Sequence, residues 1–206
     1  MSRRMVTTGF SKPYVATYTN TGQTVTYTGV AILGRGVSLS LEIDTADDNN
    51  FYTDNIVAET ETAQFTSGSA TITVDGLDSD AAKLIFGLTE AGNVQVAGEQ
   101  VAFQGYGKMN PPFVGLGCVR RTMMDGVTKY WPLILPKIKF GIPSEEMATQ
   151  EDTIDWQTQE LTATVLRDDT ADANWKYISE EGMDTEAEAE TAIKAFLGDE
   201  ESKGGV

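Results

Sequence analysis

The chain has 206 residues, 40% of them hydrophobic, a net charge of −16, one cysteine and no histidine. That is enough apolar material for a domain with decorations, and it excludes a globally disordered polymer. A lone Cys118 excludes an intrachain disulfide, and the absence of histidine removes Ser–His and Cys–His catalysis and histidine-based zinc sites.

Charge falls in blocks along the chain: +4 over residues 1–41, −11 over 42–100, +5 over 101–143 and −14 over 144–206. Such blocks serve either as solvated faces or as complementary surfaces between identical copies. The acidic excess disfavours tight nucleic-acid binding, which needs clustered cations. Arg3 and Arg4 are followed closely by Thr7, Thr8 and Gly9, so no secretion leader is read. The apolar stretch Trp131–Leu135 is far below the about 20 residues of a membrane span.

Pro13 to Thr28 is strand material, rich in Tyr, Val and Thr and broken by a turn at Asn20-Thr21-Gly22. Val37 to Asp44 alternates strictly: Val37, Leu39, Leu41 and Ile43 against Ser38, Ser40, Glu42 and Asp44, the pattern of a sheet with one buried face. After the acidic loop from Asp44 to Asn50, a strand from Ile56 to Phe65 is polar on both faces, with Glu59 and Glu61 sharing one of them. Ala70, Ile72 and Val74 alternate inward. Leu77, Ala81, Leu84, Ile85 and Leu88 then make a helical stripe, capped by Asp78 or Ser79 and closed by Gly87.

Residues 89–100 read as a polar connection, and Lys108 to Pro112 breaks any regular element. Phe113 to Ile142 reads as a long hairpin turning at Asp125-Gly126. Pro132 and Pro136 in its second arm predict an edge or a bulge, an edge that another subunit could complete. Thr158 to Arg167 alternates Leu161, Ala163 and Val165 inward, and Trp175 to Ile178 reads as a short strand. A helix from Asp184 to Leu197 starts at a Thr185/Glu188 capping box and carries Ala189, Ile193, Phe196 and Leu197 as its apolar stripe.

Three patterns imitate chemistry. Gly105-Tyr106-Gly107-Lys108 lacks the spacing and setting of a phosphate loop. Asp44, Asp47 and Asp48 lack the calcium-loop spacing and its bidentate glutamate. Glu59 and Glu61 come with no sign of a sugar cleft. Cys118, without a histidine beside it, reads as a small half-buried hydrophobe. No base, nucleophile and oxyanion donor converge, so an enzyme is the least supported reading, and no cofactor or metal is expected.

Lys129 to Phe140, then Ile142 to Glu146, then Trp156 to Leu161, together with Asp47 to Asn55 leading into a polar strand, resemble the major tail proteins of long-tailed phages and prophages. The resemblance spans about residues 10–170. It implies a mainly β protein with α+β decoration: a tail-tube β-sandwich or open barrel with a flanking helix. Copies of it complete a multi-subunit inner β-barrel. The implied organisation is an N-terminal arm over 1–12, the tail-tube β domain over 13–180 and an acidic C-terminal helix and tail over 181–206. Hexameric rings stack into the tube of a non-contractile tail, assembled in the host cytoplasm and kept in the virion. Partners are a tape-measure protein, a tail terminator, tail-tip proteins and double-stranded DNA that passes without specific binding.

Under this expectation Glu59 and Glu61, then Glu42 and Asp44, face the channel, where acids repel phosphate. Asp47, Asp48, Phe51, Tyr52, Asp54, Arg120, Arg121, Lys137 and Lys139 contact neighbouring subunits or rings. The alternatives are a surface-displayed β-sandwich for adhesion or carbohydrate binding, which needs an aromatic-lined patch, and the tube protein of a contractile tail.

Overall fold

The computed structural model describes residues 5–47, 49–53, 55–61, 64–145, 149 and 157–199. The protein is mainly β, with antiparallel sheets and two short helices. The strands are β1 (Met5–Thr21), β2 (Thr24–Ile32), β3 (Gly36–Thr45), β4 (Asn49–Thr53), β5 (Ile56–Glu61), β6 (Phe65–Val74), β7 (Thr89–Val96), β8 (Glu99–Gly105), β9 (Val114–Met124), β10 (Val127–Phe140), β11 (Gln159–Leu166) and β12 (Tyr177–Ile178); the helices are α1 (Ser79–Phe86) and α2 (Glu186–Phe196).

One large sheet runs β2-β1-β9-β10-β11-β6-β3, with β12 added beside β10. It curls so that Gly36 of β3 lies against the Phe10 ring of β1. The inward side chains alternate as the sequence predicts: Ala70, Ile72 and Val74 of β6, and Leu161, Ala163 and Val165 of β11, join Val15, Leu116 and Leu135 in the main core. β3 obeys the same rule over its middle, where Leu39 and Leu41 pack on that core. Val37, at an irregularity in the ladder, and Ile43, near the strand's end, are exposed.

α1 adds Ala81, Ala82, Ile85 and Phe86 to the core. Asp78 caps it by accepting from the Asp80 and Ala81 amides, and Gly87 closes it in the left-handed conformation. α2 lies on the outer face of β1, β9 and β10. Its capping box at Thr185 and Glu188 forms as the sequence predicts, and Ala189, Ile193 and Leu197 pack on Tyr14, Ala16 and Val119. Gly115 and Gly117 of β9 make the seat: a Cβ at Gly117 would collide with Ile193.

Several expectations are corrected. Pro132 and Pro136 do not mark an edge; β10 lies inside the sheet, between β9 and β11. The Pro132 carbonyl accepts from the Ser179 amide, so its missing N–H falls on the side of the short, irregular segment around β12 and not on the β9 ladder. Pro136 sits in the register shift between Leu135 and Ile138. Residues 89–105 are not a plain connection but the hairpin β7–β8, turning at Ala97 and Gly98, both with positive φ. The polar strand ends at Glu61, and Phe65 belongs to β6. Met5–Lys12, read above as an arm, pair with β9 as the first part of β1.

Candidate functional site

The outer face of the large sheet divides in two. Over β1, β9 and β10 it is apolar and covered by α2. Over β11, β6 and β3 it is bare and polar.

The register assembles that bare face from three segments far apart in sequence. Ser38 pairs with Thr73 and Thr73 with Glu160; Ser40 pairs with Thr71 and Thr71 with Thr162; Glu42 pairs with Ser69 and Ser69 with Thr164, which in turn pairs with Lys139 of β10. Asp44 and Ser67 extend it, the Ser67 hydroxyl donating to the Asp44 carboxylate at 3.0 Å. The Ser38 hydroxyl donates to Thr73 Oγ1, also at 3.0 Å. None of these side chains is fully buried.

Short hydroxyls leave the sheet flat, and each can bond to water, so the face has no apolar reason to be covered. Glu42, Asp44 and Glu160 set its sign; Lys139 stands at its border, its ammonium 5.7 Å from the centre of the Phe113 ring. The far edge of β3 carries no strand partner among the described residues. The opposite edge, β2, is blunted: Gly198, just past α2, meets the Tyr27 carbonyl, and Leu84 of α1 lies beside Gly29.

The other predicted residues scatter. Glu59 and Glu61 lie on β5, which pairs only with β4 and not with the large sheet; Phe51 pairs with Glu59, Tyr52 with Val57 and Asn49 with Glu61. Asp48 and Asp54 lie outside the described residues, and Asp47 is exposed at the start of that hairpin. Arg121 is exposed. Arg120 stands over the Trp131 ring, 5.9 Å from its centre.

Lys137 is committed within its own chain. Its side chain is only 14% exposed, donates to both Asp169 carboxylate oxygens at 2.7 and 2.9 Å, and lies near the Tyr18 and Phe113 rings. Hydrogen bonds from Lys137 and Tyr18 hold the Asp169 carboxyl below its usual range, while burial and the Asp169 carboxylate push the Tyr18 phenol up. Burial likewise pushes the Cys118 thiol up to about 12, so it is packing material.

An aromatic cavity of about 400 Å³ opens between β2 and the end of α2, lined by Tyr27, Tyr177 and Phe196 with Asp168. The Asp168 carboxylate is spent on its own loop, accepting from Thr170, Asn174 and Tyr177. It organises that loop. Among the described residues no group of three or more carboxylate or thiol side chains is placed to hold a metal ion, and no helix is long and apolar enough to cross a membrane. Compared with known protein families and with curated proteins, the chain matches none.

Sequence reasoning missed Ser67, Ser69, Thr71, Thr73, Glu160, Thr162 and Thr164 as members of one surface. The signal was the complement of the inward alternation, the residues left pointing out of β6 and β11.

Proposed function

We propose that the protein is the tube-forming protomer of a long, non-contractile phage tail, and that the outer face of β3, β6 and β11 forms the wall of the bore. The observation that carries this reading is the hydroxyl-rich, acidic face beside an edge strand that has no strand partner among the described residues. Such an edge gains hydrogen bonds by pairing with another copy, and a ring of copies removes it altogether. The face then meets water and passing DNA. Hydroxyls interact weakly, carboxylates repel phosphate, and no cluster of cations offers the counterion-releasing contacts that hold DNA in place.

Under this reading the wall acids on the large sheet are Glu42, Asp44 and Glu160, while Glu59 and Glu61 lie on the separate β4–β5 pair that leads out of β3 and β6. Stacked rings, a tape-measure protein within the bore, terminator and tip proteins at its ends, and a place in the virion follow from the same proposal. Sedimentation velocity and negative-stain electron microscopy of the purified chain test it. The expected result is concentration-dependent assembly into annuli or hollow rods; monomers persisting at high concentration would refute it.

A further inference from the structure

We infer that the β7–β8 hairpin docks by its apolar face onto the tip of β1, β9 and β10 of a second copy. The inference rests on the self-assembly reading and names one contact through which it works.

β7 and β8 pair only with each other. Their register sets Val94 opposite Val101, Val96 opposite Glu99 and Gly92 opposite Phe103. One face therefore carries Val94, Val96, Val101 and Phe103 with Glu99 at its end, and the other Glu90, Asn93, Gln95, Gln100 and Ala102. All four apolar residues are exposed, Phe103 by 53%. A ribbon that only met water would have no use for this sorting, and an isolated two-stranded hairpin is marginal without something against its apolar face.

At the tip of the large sheet Val6 and Met123 share the outer face, the one on which α2 lies, and Met5, Met124 and Val127 share the opposite face; among the described residues the outer pair is a second uncovered apolar patch. There Met5 pairs with Met124, Met124 with Val127, and Val6 with Met123. Met5, Val6, Met123 and Val127 are exposed.

Charge decides the pairing. The hairpin carries Glu90 and Glu99 and no base. At the tip, exposed Arg121 shares the outer face with Val6 and Met123 and makes no ion pair among the described residues, while Asp125 stands in the turn beyond them. An acidic apolar face meeting a basic apolar tip is complementary in both respects, whereas two hairpins face to face would oppose like charges. Because the two patches lie on different elements, the contact is head-to-tail and propagates from copy to copy. Each patch presents on the order of a few hundred Å², short of the about 800 Å² per partner of a standard interface, so the hairpin works together with the sheet edge.

Cysteine cross-linking tests the contact, and inert Cys118 leaves the background clean. Mixing the full chains Val101→Cys and Met123→Cys under mild oxidation is expected to give a disulfide-linked dimer. Neither variant alone should, and Gln95→Cys, on the opposite face, should not cross-link to Met123→Cys. Phe103→Ser should keep the wild-type melting curve while raising the concentration for half-assembly about tenfold. Arg121→Glu should weaken assembly, and adding Glu99→Lys should restore it.

Wild type that assembles with no Val101–Met123 cross-link, or Phe103→Ser that assembles as wild type does, overturns the docking while leaving the tube reading in place. Val101→Cys dimerising alone as well as in the mixture overturns the head-to-tail geometry. Wild type that stays monomeric overturns both readings.

Discussion

The two halves of the sheet's outer face were built for different neighbours. Over β1 and β9, Gly115 and Gly117 clear space for Ile193 and Leu197 of α2, and Tyr14, Ala16 and Val119 complete a dry layer. Polar latches ring that layer. Tyr14 donates to Glu190 at 2.5 Å, Lys12 and Lys194 pair with the same carboxylate, and Ser11 donates to Glu186. Over β3, β6 and β11 no helix lies among the described residues, and the outward side chains are mostly hydroxyls and carboxylates. The same backbone thus carries one face closed by its own helix and one that no described element covers, the face assigned to the bore in the proposed reading. Mutations should separate the two, with stability residing in the first and assembly function in the second.

The largest effect is expected at the seat of α2. Gly117→Leu puts a side chain where Ile193 lies and should cost about 3 kcal/mol or more, and Ile193→Ala about 2–4 kcal/mol, by chemical denaturation. Thr162→Val on the bare face should stay within about 0.5 kcal/mol of wild type. Equal losses at Gly117 and Thr162 would erase the distinction.

Next is Lys137→Met, which leaves Asp169 with the Tyr18 hydroxyl but no cation and removes the cation from beside Tyr18 and Phe113. A loss of about 1–3 kcal/mol is expected, with no specific defect in assembly. An assembly defect without a stability loss would return Lys137 to the contacts between subunits.

Glu190 sharpens the comparison through pH. Hydrogen bonds from Tyr14, Lys194 and Lys12 outweigh burial and hold its carboxyl at about 2, below the ordinary 4.5. A depressed folded value means the contribution is present above about pH 4.5 and is lost as pH falls toward 2. Glu190→Gln should therefore cost about 1 kcal/mol near neutrality, and its difference from wild type should shrink across that window in pH-dependent melts. A difference constant with pH would mean that the charge is not what holds α2.

If the bare face lines a bore as proposed, the smallest effect on stability and the largest on function belong to it. Glu42→Lys with Glu160→Lys should each change stability by less than about 0.5 kcal/mol. The doubly substituted tube should nevertheless retain DNA in a salt-dependent way, scored by filter binding to assembled rods and by phage titre.

The local elements were legible because one residue or one period decides each. Asp125-Gly126 adopts positive φ at both positions, Thr185 and Glu188 close their capping box, and the alternation over β6 and β11 names the core. β7–β8 escaped because Ala97-Gly98 is a weaker turn signal than Asp-Gly, and its valines face no core. Pro136 marks the bulge that the sequence allowed, while Pro132 misled because sequence shows that an N–H is missing, not which side of the strand lacks it. The bare face could not be read along the chain, since it exists only once β3, β6 and β11 are placed side by side.

Cryo-electron microscopy of the assembled protein tests the central claim most directly. The expected result is a hollow rod in which Glu42, Thr71 and Thr162 line the bore while α2 lies away from the axis. A rod with α2 on the axis and the β3-β6-β11 face turned outward, or no assembly under any condition, would contradict it.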